Sequence, residues 1–452
     1  TEFVAREMRS HGYDVSGEGD FPITGGAADS RLVRAGDLFA AFRGEHADGN
    51  TFVGEAFANG AVAVVCDRQV ATPPPDSLLV VAPSTTRAMH QLANAWRRTC
   101  KARVLGITGT VGKTTAKELT ADVLSARFHT HRSAGNLNSR EGLPLALMSL
   151  QTDHELSVLE MAMDSSGEIE ELCRVAEPEA GVVLNVGLTH ISRMGSIEAI
   201  QAEKLSLVRG LPPSGTAILN ADDVRVGPVA SELACRVLTF GAAEGASVRR
   251  GPITDNGLEG TTFPVTHNGT AASVHSPLPG AHVVPAALAA ISAGLAFGMT
   301  LPECAEAVAK AGGTGRMRVI RRPDGVTIID DRYNASPASL AGAMEMLRGI
   351  QGRRLALVGE MAELGRYEER EHRLIGSIAA RCCDLLVAVG PACVATVEQA
   401  LADGLTGAHW FETKEEAAAF VAGTLRPGDT LVVKASRSQA FETILPMLEA
   451  QR

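Results

Sequence analysis

The sequence predicts an α/β protein of about three domains built on parallel sheets. Three observations carry that expectation. The chain has 452 residues, about three times a common domain length. Short apolar runs alternate with helical segments through most of it, as strands joined by helical crossovers do. A glycine-rich turn over residues 108–115 joins one such run directly to one such helix.

In the first unit, residues 1–100, apolar runs at 37–42, 61–66 and 77–81 lie between Gly-, Pro- and Asp-rich turns and read as strands. Residues 84–98 read as an amphipathic helix, with Met89, Leu92, Ala93 and Trp96 on one face. A second unit, 101–313, opens with a strand at 104–107, the glycine-rich turn and a helix at 116–124. Strands at 157–161, 181–186 and 217–219 and a helix at 197–208 continue the rhythm. Residues 237–280 break it with short Gly- and Thr-rich segments, expected to form a small β meander, and helices are expected at 283–296 and 302–310. The glycine-rich stretch 312–315 reads as a linker into a third unit, 314–452. There, strands at 326–330, 355–358, 385–389 and 431–433 alternate with helices at 338–348, 372–381, 415–423 and 439–449.

Composition narrows the class. Hydrophobic residues make up 45%, too many for a disordered chain. The 42 basic and 52 acidic residues leave a net charge of −10, so no global footprint for nucleic acid is present. The longest apolar stretches, such as 60–66, fall far short of the ~20 residues that span a bilayer. Eight scattered cysteines contain no C-x-x-C pair and read as reduced and mostly structural. No secretory signal is read ahead of the first unit. A cytoplasmic, multi-domain protein that acts on small molecules, without membrane insertion, is expected, working as a monomer.

The sharpest local signal is Thr108-Gly109-Thr110-Val111-Gly112-Lys113-Thr114-Thr115. Backbone N–H groups of such a turn and the following helix N-terminus cradle polyphosphate oxygens. Lys113 would reach the outer phosphates, and the Thr114 hydroxyl would help to hold Mg²⁺. Only two residues separate Gly109 from Gly112, where the common phosphate loop has four, which argues against an ordinary kinase or GTPase. Glu160 closes the strand at 157–161, where carboxylates of α/β sheets meet ligands, and His190 follows the strand at 181–186. An end-of-strand Glu is ordinarily just exposed and a lone His ordinarily packs locally. Their order behind a phosphate loop makes both candidate metal ligands. Lys204 alone would read as a solvated surface lysine. Asp330-Asp331 leads into Arg332-Tyr333-Asn334-Ala335-Ser336-Pro337, read as ribose recognition or as a helix-capping turn. Lys434-Ala435-Ser436-Arg437 again lies between strand and helix, a place for an anion.

These residues resemble those of the Mur ligases, ATP-dependent amide-forming enzymes of cell-wall synthesis, over essentially the whole chain. The phosphate loop is similar to the family's TGT-x-GKT. Gly135-Asn136-Leu137-Asn138, Glu160 with Gly167-Glu168-Ile169, and Asn185 with His190 and Lys204 resemble further family segments. So do Asn220-Ala221-Asp222-Asp223, Asp330–Pro337, Gly359–Gly365 with His372, and Asp29-Ser30-Arg31 with Gly36-Asp37-Leu38-Phe39. The resemblance implies a central mononucleotide-binding phosphate-loop domain, a Rossmann-like C-terminal α/β domain and a small α/β N-terminal domain. It implies a ligase that activates a carboxylate as an acyl phosphate, releases ADP and lets an amine form the amide. Among family reactions it implies the addition of D-Ala-D-Ala to UDP-MurNAc-tripeptide in peptidoglycan precursor synthesis. The first unit would then bind the UDP substrate, the second ATP and Mg²⁺, and the third the amine.

By the same resemblance, Lys113, His190 and Lys204 would be catalytic. Thr108, Gly109, Thr110, Gly112, Lys113, Thr114, Thr115, Arg316, Asp331 and Asn334 would bind ATP. Thr114, Glu160, His190 and a carbamylated Lys204 would hold Mg²⁺, in all two ions. Ser30, Arg31, Asn136, Asn138, Lys434, Ser436 and Arg437 would bind the other substrates. The chain departs from the family pattern at Ala162, Asp164-Ser165, Ser206, Val283, Pro285, Glu360 and Ala435. These departures keep open a related ligase of another pathway, joining an amino acid or peptide to a different carboxylate. A nucleotide-binding regulatory homologue is a third reading, but it should lack Lys113, Glu160 or Lys204, and all three are present.

Overall fold

The computed structural model describes residues 1–17, 19–44, 47–312 and 317–450. Its strands are β1 (Asp14–Ser16), β2 (Gly25–Ala27), β3 (Asp37–Ala40), β4 (Ala63–Cys66) and β5 (Leu78–Val81). They continue as β6 (Arg103–Thr108), β7 (Thr130–Arg132), β8 (Leu156–Glu160), β9 (Ala180–Val183), β10 (Thr216–Asn220) and β11 (Arg236–Gly241). The remaining ten are β12 (Val248–Arg250), β13 (Thr254–Asp255), β14 (Thr261–His267), β15 (Thr270–Ser276), β16 (Arg318–Arg321), β17 (Thr327–Asp330), β18 (Arg354–Gly359), β19 (Leu385–Val389), β20 (Ala408–Phe411) and β21 (Thr430–Lys434).

They form three sheets. The first has the order β1-β5-β4-β3-β2, parallel except for β1. The second runs β13-β14-β12-β11-β10-β9-β6-β8-β7, with β15 on β14. From β7 to β12 it is parallel, and β12, β13 and β15 all pair antiparallel to β14. The third is β16-β17-β21-β18-β19-β20, parallel except for the edge strand β16.

Strands buried on both faces explain why the sequence shows continuous apolar runs here and little alternation. Every residue of β4, β8, β9, β19 and β21 is buried. Helix Val284–Ala296 covers one face of the central sheet and is apolar all round, with ten buried residues. It packs on the helix Lys113–Ser125 that follows the glycine-rich turn, and Leu119, Val123, Ala287 and Ile291 are fully buried in the same core. Burial of each such Val, Leu or Ile is worth roughly 1.5–3 kcal/mol, so the helix that starts at Lys113 is held rigidly from below.

The expected helix at 439–449 does not form. Ala440 adopts a left-handed φ of 47°, and the chain makes short turns at Arg437–Gln439 and Phe441–Thr443 before the helix Leu445–Glu449. Pro446 explains the late start, since proline fits an α-helix only in its first turn. The strand expected at 181–186 ends at Val183. The expected meander is also reorganised: β11 joins the parallel sheet beside β10, and the antiparallel pairing begins only at β14. Helices Glu2–Ser10, Glu168–Ala176 and Val394–Ala402 were not anticipated, nor were β16 and β20. The expected linker lies largely outside the described residues. All eight cysteines are free thiols. No helix among the described residues is long and apolar enough to cross a membrane.

Candidate active site

β6 lies between β8 and β9, so the chain order reverses around it. Ligands of open parallel sheets bind beyond the carboxyl ends of the strands at such a switch point. The turn after β6 needs both its glycines. Gly112 caps the next helix at φ 82°, a region that residues with a Cβ rarely enter. A Cβ on Gly109 would stand 2.9 Å from Leu184 Cβ, so only glycine admits the close approach of the segment after β9. Helix Lys113–Ser125 starts there, its positive dipole end at the end of the sheet. The Lys113 ammonium folds back over the turn and donates to the carbonyls of Gly109 (2.8 Å) and Thr110 (3.2 Å). Thr108 is fully buried, Thr110 nearly so, and Thr115 half-buried.

Next to the turn, Glu160 closes β8 and is only 2% exposed. Thr114 Oγ1 donates to its Oε2 at 2.8 Å, and Asn138 Nδ2 donates to its Oε1 at 2.7 Å. Lys204, also 2% exposed, reaches in from helix Ile197–Arg209 and donates to the Gly109 carbonyl at 3.1 Å. Burial, and then the neighbouring Lys113 ammonium, push the Lys204 amine well below the usual lysine range. The structure thus brings Lys113, Thr114, Asn138, Glu160 and Lys204 together around one turn.

The other expected residues lie in separate groups. His190, at a left-handed φ of 56°, places Nδ1 2.5 Å from Glu363 Oε2 and 3.2 Å from Asp164 Oδ1, so it meets the segment that follows β18. The His190 contact holds the Glu363 carboxyl below the usual range. Asp331 and Lys434 form a buried ion pair at 2.6 Å, and Lys434 Nζ also donates to the Asn334 carbonyl at 2.8 Å. Ser436 is 2% exposed; its hydroxyl donates to the Glu360 carbonyl and accepts from Ala362 N. Arg437 is exposed, paired with Glu442, its guanidinium 5.6 Å from the Tyr333 ring centre. In the first unit the buried Ser30 hydroxyl donates to Glu55 at 2.8 Å, while the exposed Arg31 pairs with Asp29. Asn136 is exposed, and its carbonyl accepts from Asn138 N at 2.8 Å. Arg316 lies outside the described residues.

Lys117 and Asn185 take parts that the sequence did not disclose. Lys117 is fully buried one turn beyond Lys113 and donates to the carbonyls of Ser133 (2.7 Å) and Gly135 (3.2 Å), with Glu118 Oε1 at 2.8 Å. It ties the phosphate helix to the loop that carries Asn136 and Asn138. The only hint in the sequence was its i+4 spacing from Lys113. Asn185 contacts the glycine-rich turn itself, and spacing along the chain could not reveal a contact across 75 residues.

Residues 22–105 match the family model described as Mur ligase family, catalytic domain. Residues 107–294 match Mur ligase middle domain, and 315–437 match Mur ligase, glutamate ligase domain. The UDP-N-acetylmuramoyl-tripeptide–D-alanyl-D-alanine ligase of Bacillus subtilis is 34% identical over 94% of this chain and 92% of its own length. The Escherichia coli enzyme of that name is 31% identical over 95% and 94%. A crystal structure of MurF from Acinetobacter baumannii superposes with a TM-score of 0.86 at 28% identity, covering 100% of this chain and 98% of the other. The Thermotoga maritima MurF ligase in complex with ADP gives 0.80 at 26% identity, covering 96% and 98%. With the three models in order along its length and relatives this similar over almost all of it, the chain belongs to the Mur ligase family.

Proposed function

We propose that the chain joins D-alanyl-D-alanine to UDP-N-acetylmuramoyl-tripeptide, with ATP cleaved to ADP and phosphate. The observation that carries the chemistry is the convergence of Lys113, Thr114, Glu160 and Lys204 on one turn at the carboxyl ends of β6 and β8. The curated names of its relatives support the substrates. The substrate carboxylate would take the γ-phosphoryl group of ATP to give an acyl phosphate. The dipeptide amine would then displace phosphate and form the amide. Such a transfer asks the protein mainly for positioning and for neutralisation of phosphate charge.

The Lys113 ammonium and the helix N-terminus would carry the phosphates. The oxygen donors Thr114 and Glu160 already touch each other and suit a hard cation held by few carboxylates plus phosphate oxygens. Magnesium bound there would offset charge on the transferring phosphoryl group. Asn138 orients the Glu160 carboxylate from the side away from Thr114. A carbamylated Lys204 would present a carboxylate beside the Gly109 carbonyl, and an increment of one CO₂ on the Lys204 peptide is the mass that checks it. The first unit, 1–100, would hold the nucleotide sugar. The second, 101–313, would hold ATP, and the third, 314–452, the amine. The reaction would take place between them, in the cytoplasm.

The test is phosphate release from ATP by the full chain with UDP-MurNAc-tripeptide and D-Ala-D-Ala, run beside other acids and amines. Release that needs both cell-wall substrates supports the proposal. Release only with another acid and amine pair replaces it with a ligase of another pathway.

A further inference from the structure

The glycine-rich turn is short, with two residues between its glycines where the common phosphate loop has four. Its backbone shape is held from outside, by Asn185 on the segment after β9. Asn185 Oδ1 accepts from both Thr110 N (3.0 Å) and Val111 N (2.9 Å), and Nδ2 donates to the Val111 carbonyl at 3.0 Å. The Asn185 carbonyl also accepts from Thr110 N at 3.0 Å. Two residues on, Gly187 N donates to Thr110 Oγ1 at 2.8 Å. One carboxamide thus takes the N–H groups of Thr110 and Val111 and the carbonyl of Val111, immediately before the chain turns into the helix that begins at Lys113.

Asn185 is itself held on both sides. Asn220 Nδ2 donates to the Leu184 carbonyl at 2.8 Å, and Val186 N donates to Asp223 Oδ2 at 3.0 Å. The other Asp223 oxygen accepts from Arg225 N and Val226 N, so this carboxylate cannot swing away without losing three bonds. The run Asn220-Ala221-Asp222-Asp223 lies at the end of β10 and has no part in the chemistry above. Its first and last members grip the residues that flank Asn185.

We infer that Asn185 is a positioning residue for nucleotide binding: its carboxamide sets the phosphate loop in its binding shape, and Asn220 and Asp223 fix Asn185. This rests on reading the turn as the ATP site. A donor set only works when it is held in place before the ligand arrives, and displacement by about 1 Å costs roughly a hundredfold in a reaction that depends on position. Alanine at 185 removes the partner of Val111 N and of the Val111 carbonyl and leaves Thr110 N only the backbone carbonyl of residue 185, so the turn relaxes. Aspartate at 185 keeps the two acceptor contacts, loses the donor to Val111 and adds a negative charge behind the phosphates.

The test is calorimetric ADP binding by the full chain, with steady-state KM for ATP and for UDP-MurNAc-tripeptide. Failure of the unaltered chain to bind ADP removes the reading of the turn on which the inference rests, and the inference with it. Given binding, Asn185→Ala is expected to weaken ADP and raise the KM for ATP about 10- to 100-fold, with the KM for the nucleotide sugar within twofold. Asn185→Asp is expected to bind ADP more weakly still. ADP affinity within twofold of the unaltered chain in either variant overturns the inference, as does an equal rise in both KM values, which marks a merely structural role. If neither variant folds, Asn220→Ala, which removes the grip on the Leu184 carbonyl and the acceptor of Asp222 N, decides it. A selective loss for ATP of severalfold is then expected, and unchanged ADP affinity overturns the inference.

Discussion

His372 offers a prediction whose size follows from its surroundings. It is 1% exposed on helix Glu368–Cys382. Nε2 accepts from Met361 N at 3.3 Å, and Nδ1 lies 2.9 Å from Thr396 Oγ1. Burial pushes the imidazole down from 6.5 to about 4 in the folded chain. The folded state therefore keeps it neutral where the unfolded chain already takes up a proton. Stability is fully present above about pH 6.5, is lost as pH falls through that value, and levels off below about pH 4. Between pH 7 and pH 5 the loss from this one residue is about 2 kcal/mol, since each pKa unit is worth about 1.4 kcal/mol. Glutamine can accept from Met361 N and meet Thr396 without titrating. Urea unfolding of the third sheet, followed at pH 7 and pH 5 in the unaltered chain and in His372→Gln, reads the difference. The variant is expected to lose about 2 kcal/mol less on acidification. An equal loss in both proteins would refute a neutral, buried His372.

Lys113→Ala is expected to abolish phosphate release while leaving the far-UV circular dichroism unchanged, because Lys113 opens a helix whose packed face lies elsewhere. Lys117→Met keeps the volume but strands the buried Ser133 carbonyl and breaks the contact with Glu118, which retains Arg132 at 2.8 Å. It should cost about 3 kcal/mol, read as a lower melting temperature of the central sheet. Glu363→Gln weakens the contact to His190 and Arg193 across the two larger sheets and should speed amide exchange in residues 361–365. Exchange at the rate of the unaltered chain counts against that contact.

Much of this molecule was legible in the chain. Runs such as 385–389 are apolar without interruption because the strands they form are covered on both faces, and such runs stand out. The turn Gly109–Thr114 was equally plain, since its function depends on residues adjacent in sequence. Short or half-exposed elements were less visible: β20 has two exposed residues, and the helix Val394–Ala402 follows a proline turn. Glu160 was placed at its strand end, but its ties to Thr114 and Asn138 join residues 46 and 22 positions away. His190 followed the right strand, yet its contact with Glu363 comes from a different sheet.

The sequence by itself determined the α/β class, the rhythm of strand and helix and the phosphate turn, because hydrophobic periodicity and glycine conformations act over a few residues. Only the tertiary structure decided which distant groups share that turn. Lys204 is a buried amine at the Gly109 carbonyl, and Lys117 a buried clamp on the next loop, where either would read as a surface lysine. Asn185 reaches the turn because β9 pairs with β6, a pairing between strands more than 70 residues apart. Strand order, more than any local pattern, sets those contacts, since the carboxyl ends of adjacent parallel strands come together however far apart they lie in the chain.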